Sequence, residues 1–238
     1  MSQHVVSKRV VIFALMFPTI VTWVYFVALR EQPPGIQQGA YLLGKLIQFG
    51  FPILWAFLWQ RETLQWQPFK PGGLAAGLGM GVFVAGAMLG LYWLVLKPAG
   101  VFIGPDEAVR HKIEGMGLTS TWRYALLGVF YAFCHSLLEE YYWRWFVFRQ
   151  LKLFTTLPVA VAISSIGFMA HHILVLATFF GWQSPATWLF SAAVGVGGAL
   201  WALLYHRTQS LVAPWISHCL VDAAIFVLGY DLARELFV

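Results

Sequence analysis

Charged side chains are scarce in this 238-residue sequence. Only 11% of its residues are Asp, Glu, Lys or Arg, while 60% are hydrophobic. Soluble domains carry roughly a quarter charged residues, so the composition argues against that class and predicts an integral membrane protein. The basic residues are scattered rather than grouped on one stripe, which argues against a nucleic-acid partner and favours contact with the lipid bilayer.

Cysteine and several catalytic signatures are also scarce or missing. The two cysteines, Cys134 and Cys219, both fall in apolar stretches, where they pack as small hydrophobes rather than form a disulfide framework. The sequence has no Gly-x-Ser-x-Gly elbow, no His-Glu-x-x-His helix and no P-loop. The serine hydrolases, zinc proteases and nucleotide enzymes that depend on these motifs are therefore disfavoured.

The sequence instead contains several long apolar runs. A span needs about 20 apolar residues, and such runs are helices because alternating strand patterns do not occur in them. The fold predicted is all-α: a polytopic transmembrane helix bundle of about seven spans (six to eight) in a single membrane domain, 1–238. The predicted spans cover about 10–29, 40–59, 72–96, 124–148, 158–180, 187–205 and 211–228.

Three further features refine this organisation. Gly73, Gly77 and Gly81 follow one another at four-residue spacing in the third span, with Gly86 and Gly90 after them, which predicts close helix packing. The 97–123 loop contains residues that are typical of the start and the end of a helix, which predicts a short interfacial helix. Lys and Arg counts of seven against six do not discriminate between the two orientations, but the Arg149/Lys152 pair and the uncharged loop after the fifth span favour an inside N-terminus and an outside C-terminus.

Two adjacent glutamates stand out in the fourth span. Glu139 and Glu140 are followed by Arg144, four residues after the second. Residues four apart share a helical face, so Glu140 is expected to pair with Arg144, while Glu139 points about 100° away. A carboxylate in apolar surroundings holds a proton more readily than in water, which suits Glu139 to act as a general base. The alternative is a buried ion pair that only holds helices together.

Histidines occur in three of the apolar spans. Phe168 and His172 are four apart in the fifth span, with His171 beside them, and His218 and Asp222 are four apart in the seventh. A carboxylate one turn from an imidazole can fix its tautomer. His135 lies four residues before Glu139 and is expected to support it. The alternative for each histidine is a packing role.

One carboxylate and one imidazole can activate a water molecule, and a further histidine can stabilise an oxyanion. This chemistry suits hydrolysis of a peptide bond. The three motifs, Glu-Glu-x-x-x-Arg, Phe-x-x-x-His and His-x-x-x-Asp, occur in this order over residues 120–230. In these motifs and their order, the sequence resembles the CPBP family. The family contains CAAX-type prenyl proteases and bacteriocin-processing relatives, which are also described as glutamic intramembrane proteases.

The resemblance implies that Glu139 and His172 activate the attacking water and that His218 and Asp222 lie near the oxyanion. Eukaryotic prenyl-processing members usually have Asn at the last position, so Asp222 is expected to orient His218 or to be protonated itself. The resemblance places the catalytic core spans at 120–230 and leaves 1–100 as accessory spans. The predicted partner is a membrane-associated protein or peptide substrate.

Two questions stay open at this stage. The mechanism is predicted to need no cofactor, but Glu139, His172 and His218 would also suit a three-ligand zinc site. Intramembrane carboxylates and histidines also serve proton- or ion-coupled transporters, so a transporter is one alternative function. A non-catalytic immunity or scaffold protein is the other.

Overall fold

The computed structural model describes residues 8–61 and 71–237, and within these ranges all regular structure is helical. The all-α prediction is confirmed. The longer helices are α1 (Lys8–Trp23), α2 (Pro34–Leu54), α3 (Pro71–Leu91), α8 (Leu157–Phe180), α9 (Pro185–Thr208) and α10 (Val212–Leu232). The shorter ones are α4 (Pro105–Gly115), α5 (Thr121–Val129), α6 (Ser136–Glu140) and α7 (Arg149–Leu151).

Six helices in the described part of the chain are long and apolar enough to cross a membrane: Lys8–Ala28, Pro34–Trp59, Gly72–Leu96, Leu157–Phe180, Pro185–Thr208 and Val212–Leu232. They match six of the seven predicted spans, with ends that differ by at most six residues. Large apolar side chains on them stay exposed, including Phe83 at 75% and Leu94 at 79%. Soluble proteins rarely leave such surface uncovered, so the chain is a multi-pass membrane protein.

The remaining predicted span, 124–148, lies in the helical stretch 121–151, which differs from the other spans because it carries Glu139, Glu140 and Arg144. The spans Lys8–Ala28, Pro34–Trp59 and Gly72–Leu96 each end in one π-helical segment, whereas this stretch contains two. Segments with π-helical hydrogen bonds, Phe130–His135 and Tyr141–Phe148, flank the short helix α6. Such π segments are rare and are found frequently at functional sites.

The described residues group into two compact units. The first contains 8–61 and 141–203, and the second contains 71–140 and 204–237. The chain passes from the second unit to the first directly after Glu140. Each unit therefore combines helices from the predicted accessory region with helices that carry motifs, and the predicted partition into 1–100 and 120–230 stays a prediction.

In the first unit, a hydrogen bond and a close contact at a glycine hold the helices together. The Tyr142 hydroxyl donates a hydrogen bond to the carbonyl oxygen of Ala14 at 2.7 Å. At Gly167 in α8, a Cβ atom would lie 2.8 Å from the Leu15 side chain and 3.0 Å from the Trp143 ring. This glycine therefore lets α1, α8 and the 141–148 segment approach closely.

In the second unit, the predicted glycine face of α3 packs on α10. A Cβ atom on Gly77 would lie 3.0 Å from main-chain atoms of Ala213, and one on Gly81 would lie 2.9 Å from the Cα atom of Ser217. Gly73 packs less closely, since a Cβ atom there would lie 3.3 Å from the Thr208 side chain and 3.8 Å from that of Ala213. Gly86 and Gly90 have nothing within 4 Å among the described residues, so the packing face covers only the first half of the helix.

The predicted short helix in the 97–123 loop is α4. Asp106 and Glu107 lie in its first turn and Lys112 in its last, which complements the helix dipole. Ile113 is buried with Tyr124 and Ala233, and Val109 packs against this cluster. Met116 is 43% exposed because the helix ends one residue before it.

The α3–α10 contact positions His218, which directly follows Ser217. Gly77→Ala is therefore expected to lower the free energy of unfolding by roughly 1–3 kcal/mol, the usual cost of overpacking, because the new methyl group meets the backbone of Ala213. Thermal unfolding of the full chain in detergent measures the change. Gly79→Ala is the matched control, since no described atom lies within 4 Å of its Cβ position. Equal stability of the two variants would contradict this packing.

Candidate active site

The second unit brings together acidic and imidazole side chains from two elements. Glu139 and Glu140 belong to α6, and His218 belongs to α10, which packs beside it. All three side chains are buried. The glycine face of α3 supports α10 from another side, so this arrangement follows from helix packing and not from a flexible loop.

His218 is held by Glu140. Its Nδ1 atom lies 2.8 Å from Glu140 Oε1, a distance at which the imidazole N–H donates to the carboxylate. This bond fixes the ring orientation and places the Nδ1 proton. The other nitrogen, Nε2, is then directed at the remaining carboxylates.

Those carboxylates are Glu139 and Asp222. Nε2 of His218 lies 3.8 Å from Glu139 Oε2 and 3.5 Å from Asp222 Oδ1. Both distances exceed a direct hydrogen bond, and a separation of this size between two polar atoms is one that a water molecule can bridge. The unit therefore holds two carboxylates beside one oriented imidazole, which are the types of group that general acid–base chemistry uses.

His135 lies near the other carboxylate oxygen of Glu139, Oε1. Its Nε2 atom lies 3.8 Å from Glu139 Oε1, and its ring packs on Tyr131 with centroids 4.7 Å apart. The structure thus brings five of the predicted site residues together in the second unit: Glu139, Glu140, His135, His218 and Asp222.

The other four predicted site residues, Arg144, Phe168, His171 and His172, lie in the first unit. Phe168 contacts both Arg144 and His172. The Arg144 guanidinium lies 4.8 Å from the Phe168 ring centre, while His172 Nδ1–H donates to the Phe168 carbonyl oxygen at 2.9 Å. That bond assigns the Nδ1 proton of His172 and makes Nε2 the basic nitrogen. The Phe-x-x-x-His motif therefore has a physical basis, since its first residue supports both the arginine and the histidine.

His171 differs from its neighbour. It is buried, and its ring stacks on Trp143 at 5.7 Å with an angle of 3° between the planes. Phe168 meets it edge-on at 5.6 Å. This aromatic setting supports the packing role that was weighed for His171. The His172 ring also packs on Phe168, with centroids 4.7 Å apart, and the catalytic role of His172 stays a prediction.

Two contacts of Arg144 come from residues that the sequence did not single out. The guanidinium lies 5.3 Å from the ring centre of Trp201, and Nη2 donates to the Gly198 carbonyl oxygen at 3.3 Å. Gly198 and Trp201 are three residues apart in α9, a helix in which no site residue was predicted. The cluster of glycines before Trp201 was the one available signal. The expected Glu140–Arg144 pair stays a prediction.

A metal centre was the open alternative. Within 8–61 and 71–237, no three His, Cys, Asp or Glu side chains are arranged so that they could hold a metal ion. The alternative zinc ligands Glu139, His172 and His218 belong to different units, and a zinc site formed by them stays a prediction. The prediction of a cofactor-free mechanism stays a prediction.

The fold and these side chains define a multi-pass helical membrane protein with a buried acid–imidazole site. Residues 121–224 match the family model described as Type II CAAX prenyl endopeptidase Rce1-like. The predicted resemblance to CAAX-type proteases is thereby confirmed, for a segment that covers less than half of the chain. Neither a curated protein nor a solved structure matches the sequence.

Arg144→Lys tests the support that Arg144 gives to the first unit. Lysine keeps the charge but loses the planar stacking between two rings, so we expect a loss of roughly 1–2 kcal/mol in the free energy of unfolding. Thermal unfolding in detergent measures it, with Arg207→Lys at an exposed position of α9 as the matched control. Unchanged stability of Arg144→Lys would show that the stacking contributes nothing.

Proposed function

We propose that this protein is an intramembrane endopeptidase that hydrolyses a peptide bond of a membrane-associated protein or peptide with a water activated by Glu139. One observation carries the proposal: a buried glutamate faces a histidine whose far nitrogen is held by a second glutamate, inside a segment that matches a CAAX endopeptidase model. A carboxylate beside the reacting water can act as general base, and an oriented imidazole next to it can stabilise the charge that develops on the carbonyl oxygen.

The reaction begins with a water molecule beside Glu139 Oε2. As the water oxygen attacks the peptide carbonyl carbon, its proton passes to the Glu139 carboxylate. When the C–N bond breaks, Glu139 returns that proton to the leaving amine nitrogen, so the carboxylate is regenerated. His172, with Nε2 as its basic nitrogen, is proposed to assist the first proton transfer, as the family resemblance implies.

His218 is proposed to stabilise the oxyanion as an imidazolium. Its Nδ1–H is engaged by Glu140, so Nε2–H is the donor that can meet the developing negative charge. A donor that is already oriented costs no reorganisation during the reaction, which is the main advantage of such sites. Asp222 lies on the Nε2 side and is proposed to hold that nitrogen until the substrate carbonyl replaces it.

The proposed function predicts that Glu139→Gln abolishes cleavage while the protein still folds. Loss of a general base typically costs about 10²–10⁴ in rate. The full chain in liposomes is tested on a quenched fluorescent peptide ending in Cys-Val-Ile-Met, with and without a farnesyl group on the cysteine. Comparison of the two peptides shows whether a lipid is recognised.

Glu114→Gln is the control for this experiment. Glu114 lies on α4 with its side chain 47% exposed, outside the candidate site. Its variant should cleave at the wild-type rate. Wild-type cleavage by Glu139→Gln would remove Glu139 from the mechanism, and solute flux that depends on Glu139 would favour the transporter.

A chelator separates the two ways of activating water. In the cofactor-free scheme, cleavage of the same peptide persists after prolonged treatment with a strong zinc chelator, because Glu139 itself accepts the proton. Metal analysis of the treated protein confirms that zinc has been removed. Loss of cleavage that is restored by added Zn²⁺ would establish the metal-dependent alternative.

A further inference from the structure

The Glu139 carboxylate has an imidazole on each of its two oxygens. His218 Nε2 lies 3.8 Å from Oε2, and His135 Nε2 lies 3.8 Å from Oε1. The proposed reaction uses the first contact. The second belongs to a residue four positions earlier in the same helical stretch, and no step described above needs it.

The two imidazoles differ in their surroundings. His218 is buried and bound to Glu140, whereas the His135 side chain is 17% exposed. The His135 ring packs on Tyr131, and Tyr131 in turn packs on Phe226 of α10 with ring centroids 5.5 Å apart. His135 therefore has a defined position relative to α10, the helix that carries His218.

We propose that His135 is a positioning residue for the reaction: it fixes Oε1 of Glu139 so that Oε2 faces His218 and the attacking water. A glutamate side chain has several rotatable bonds, and a reacting group must be held close to its productive geometry for efficient catalysis. The imidazole can contact this second oxygen directly, as an ion pair, or through one water molecule. Either contact restricts rotation of the carboxylate. His135 exchanges no proton with the substrate in this role.

The proposal rests on the proposed function, because it assigns His135 a part in orienting the base of that reaction. It also distinguishes two uses of a buried histidine. A histidine that only packs contributes its shape, and an aromatic or aliphatic residue of similar size replaces it. A histidine that positions a carboxylate contributes an N–H group, so only a side chain or small molecule with such a donor replaces it.

Three substitutions of His135 test the donor. His135→Leu keeps bulk and lacks an N–H, His135→Gln supplies a neutral N–H, and His135→Ala leaves space that added imidazole can enter. We expect kcat for the farnesylated peptide to fall on the order of tenfold in His135→Leu, about 1.4 kcal/mol in transition-state stabilisation, with KM nearly unchanged. His135→Gln should retain more activity than His135→Leu, and imidazole should raise kcat of His135→Ala.

His111→Ala is the matched control, since His111 also lies near a glutamate of its own helix, with Nδ1 3.6 Å from Glu114 Oε2, and its side chain is 82% exposed. It should keep wild-type kcat and show no response to imidazole. Equal kcat of His135→Leu and wild type would overturn the proposal. So would a loss that neither His135→Gln nor imidazole reverses, because that result indicates packing alone.

Glu139→Gln in the same assay separates this inference from the proposed function. If Glu139→Gln is inactive and the His135 variants are fully active, only the positioning role fails. If Glu139→Gln cleaves normally, the proposed function fails whatever the His135 variants do.

Discussion

The hydrogen bond from His218 Nδ1 to Glu140 is the interaction on which the candidate site depends. Moving a charged group out of water costs several kcal/mol even after the protein relaxes. Two opposite charges about 4 Å apart recover only about 4 kcal/mol at an effective dielectric constant of about 20. A buried carboxylate is therefore tolerated where hydrogen bonds also satisfy it, and the 2.8 Å bond supplies one such bond, at Oε1 of Glu140. It also sets the direction of the His218 nitrogen that faces Glu139.

The remaining architecture supplies the positions of these groups. Small residues on α3 bring α10 close enough to carry His218 to its place beside α6. In the first unit, Phe168 supports Arg144 with its ring and His172 with its carbonyl oxygen. The Phe-x-x-x-His and His-x-x-x-Asp motifs thus each lie within one unit, whereas Glu-Glu-x-x-x-Arg has its glutamates in the second unit and its arginine in the first. The site uses rigid helices throughout, which suits chemistry that requires fixed donors and acceptors.

Much of this could be predicted from the sequence, because long apolar runs and four-residue spacing are local signals. They located six of the seven spans, the α3 glycine face and helix α4, and they predicted the residues of the candidate site. The Glu140–His218 bond joins residues 78 positions apart, and no local pattern encodes such a partner. Trp201 and Gly198 were missed for the same reason. The face assignments assumed a regular α-helix, whereas π-helical segments on both sides of α6 change the angle between successive side chains.

The central claim is that Glu139 and an oriented His218 hold a water molecule inside an apolar helical protein. An experimental structure of the full chain in a lipid environment, at a resolution that shows ordered water, tests it most directly. The account predicts a water within hydrogen-bonding distance of Glu139 Oε2 and His218 Nε2, with His218 Nδ1 bonded to Glu140. A Glu139 side chain packed against hydrocarbon, or an imidazole turned away from Glu140, would contradict it.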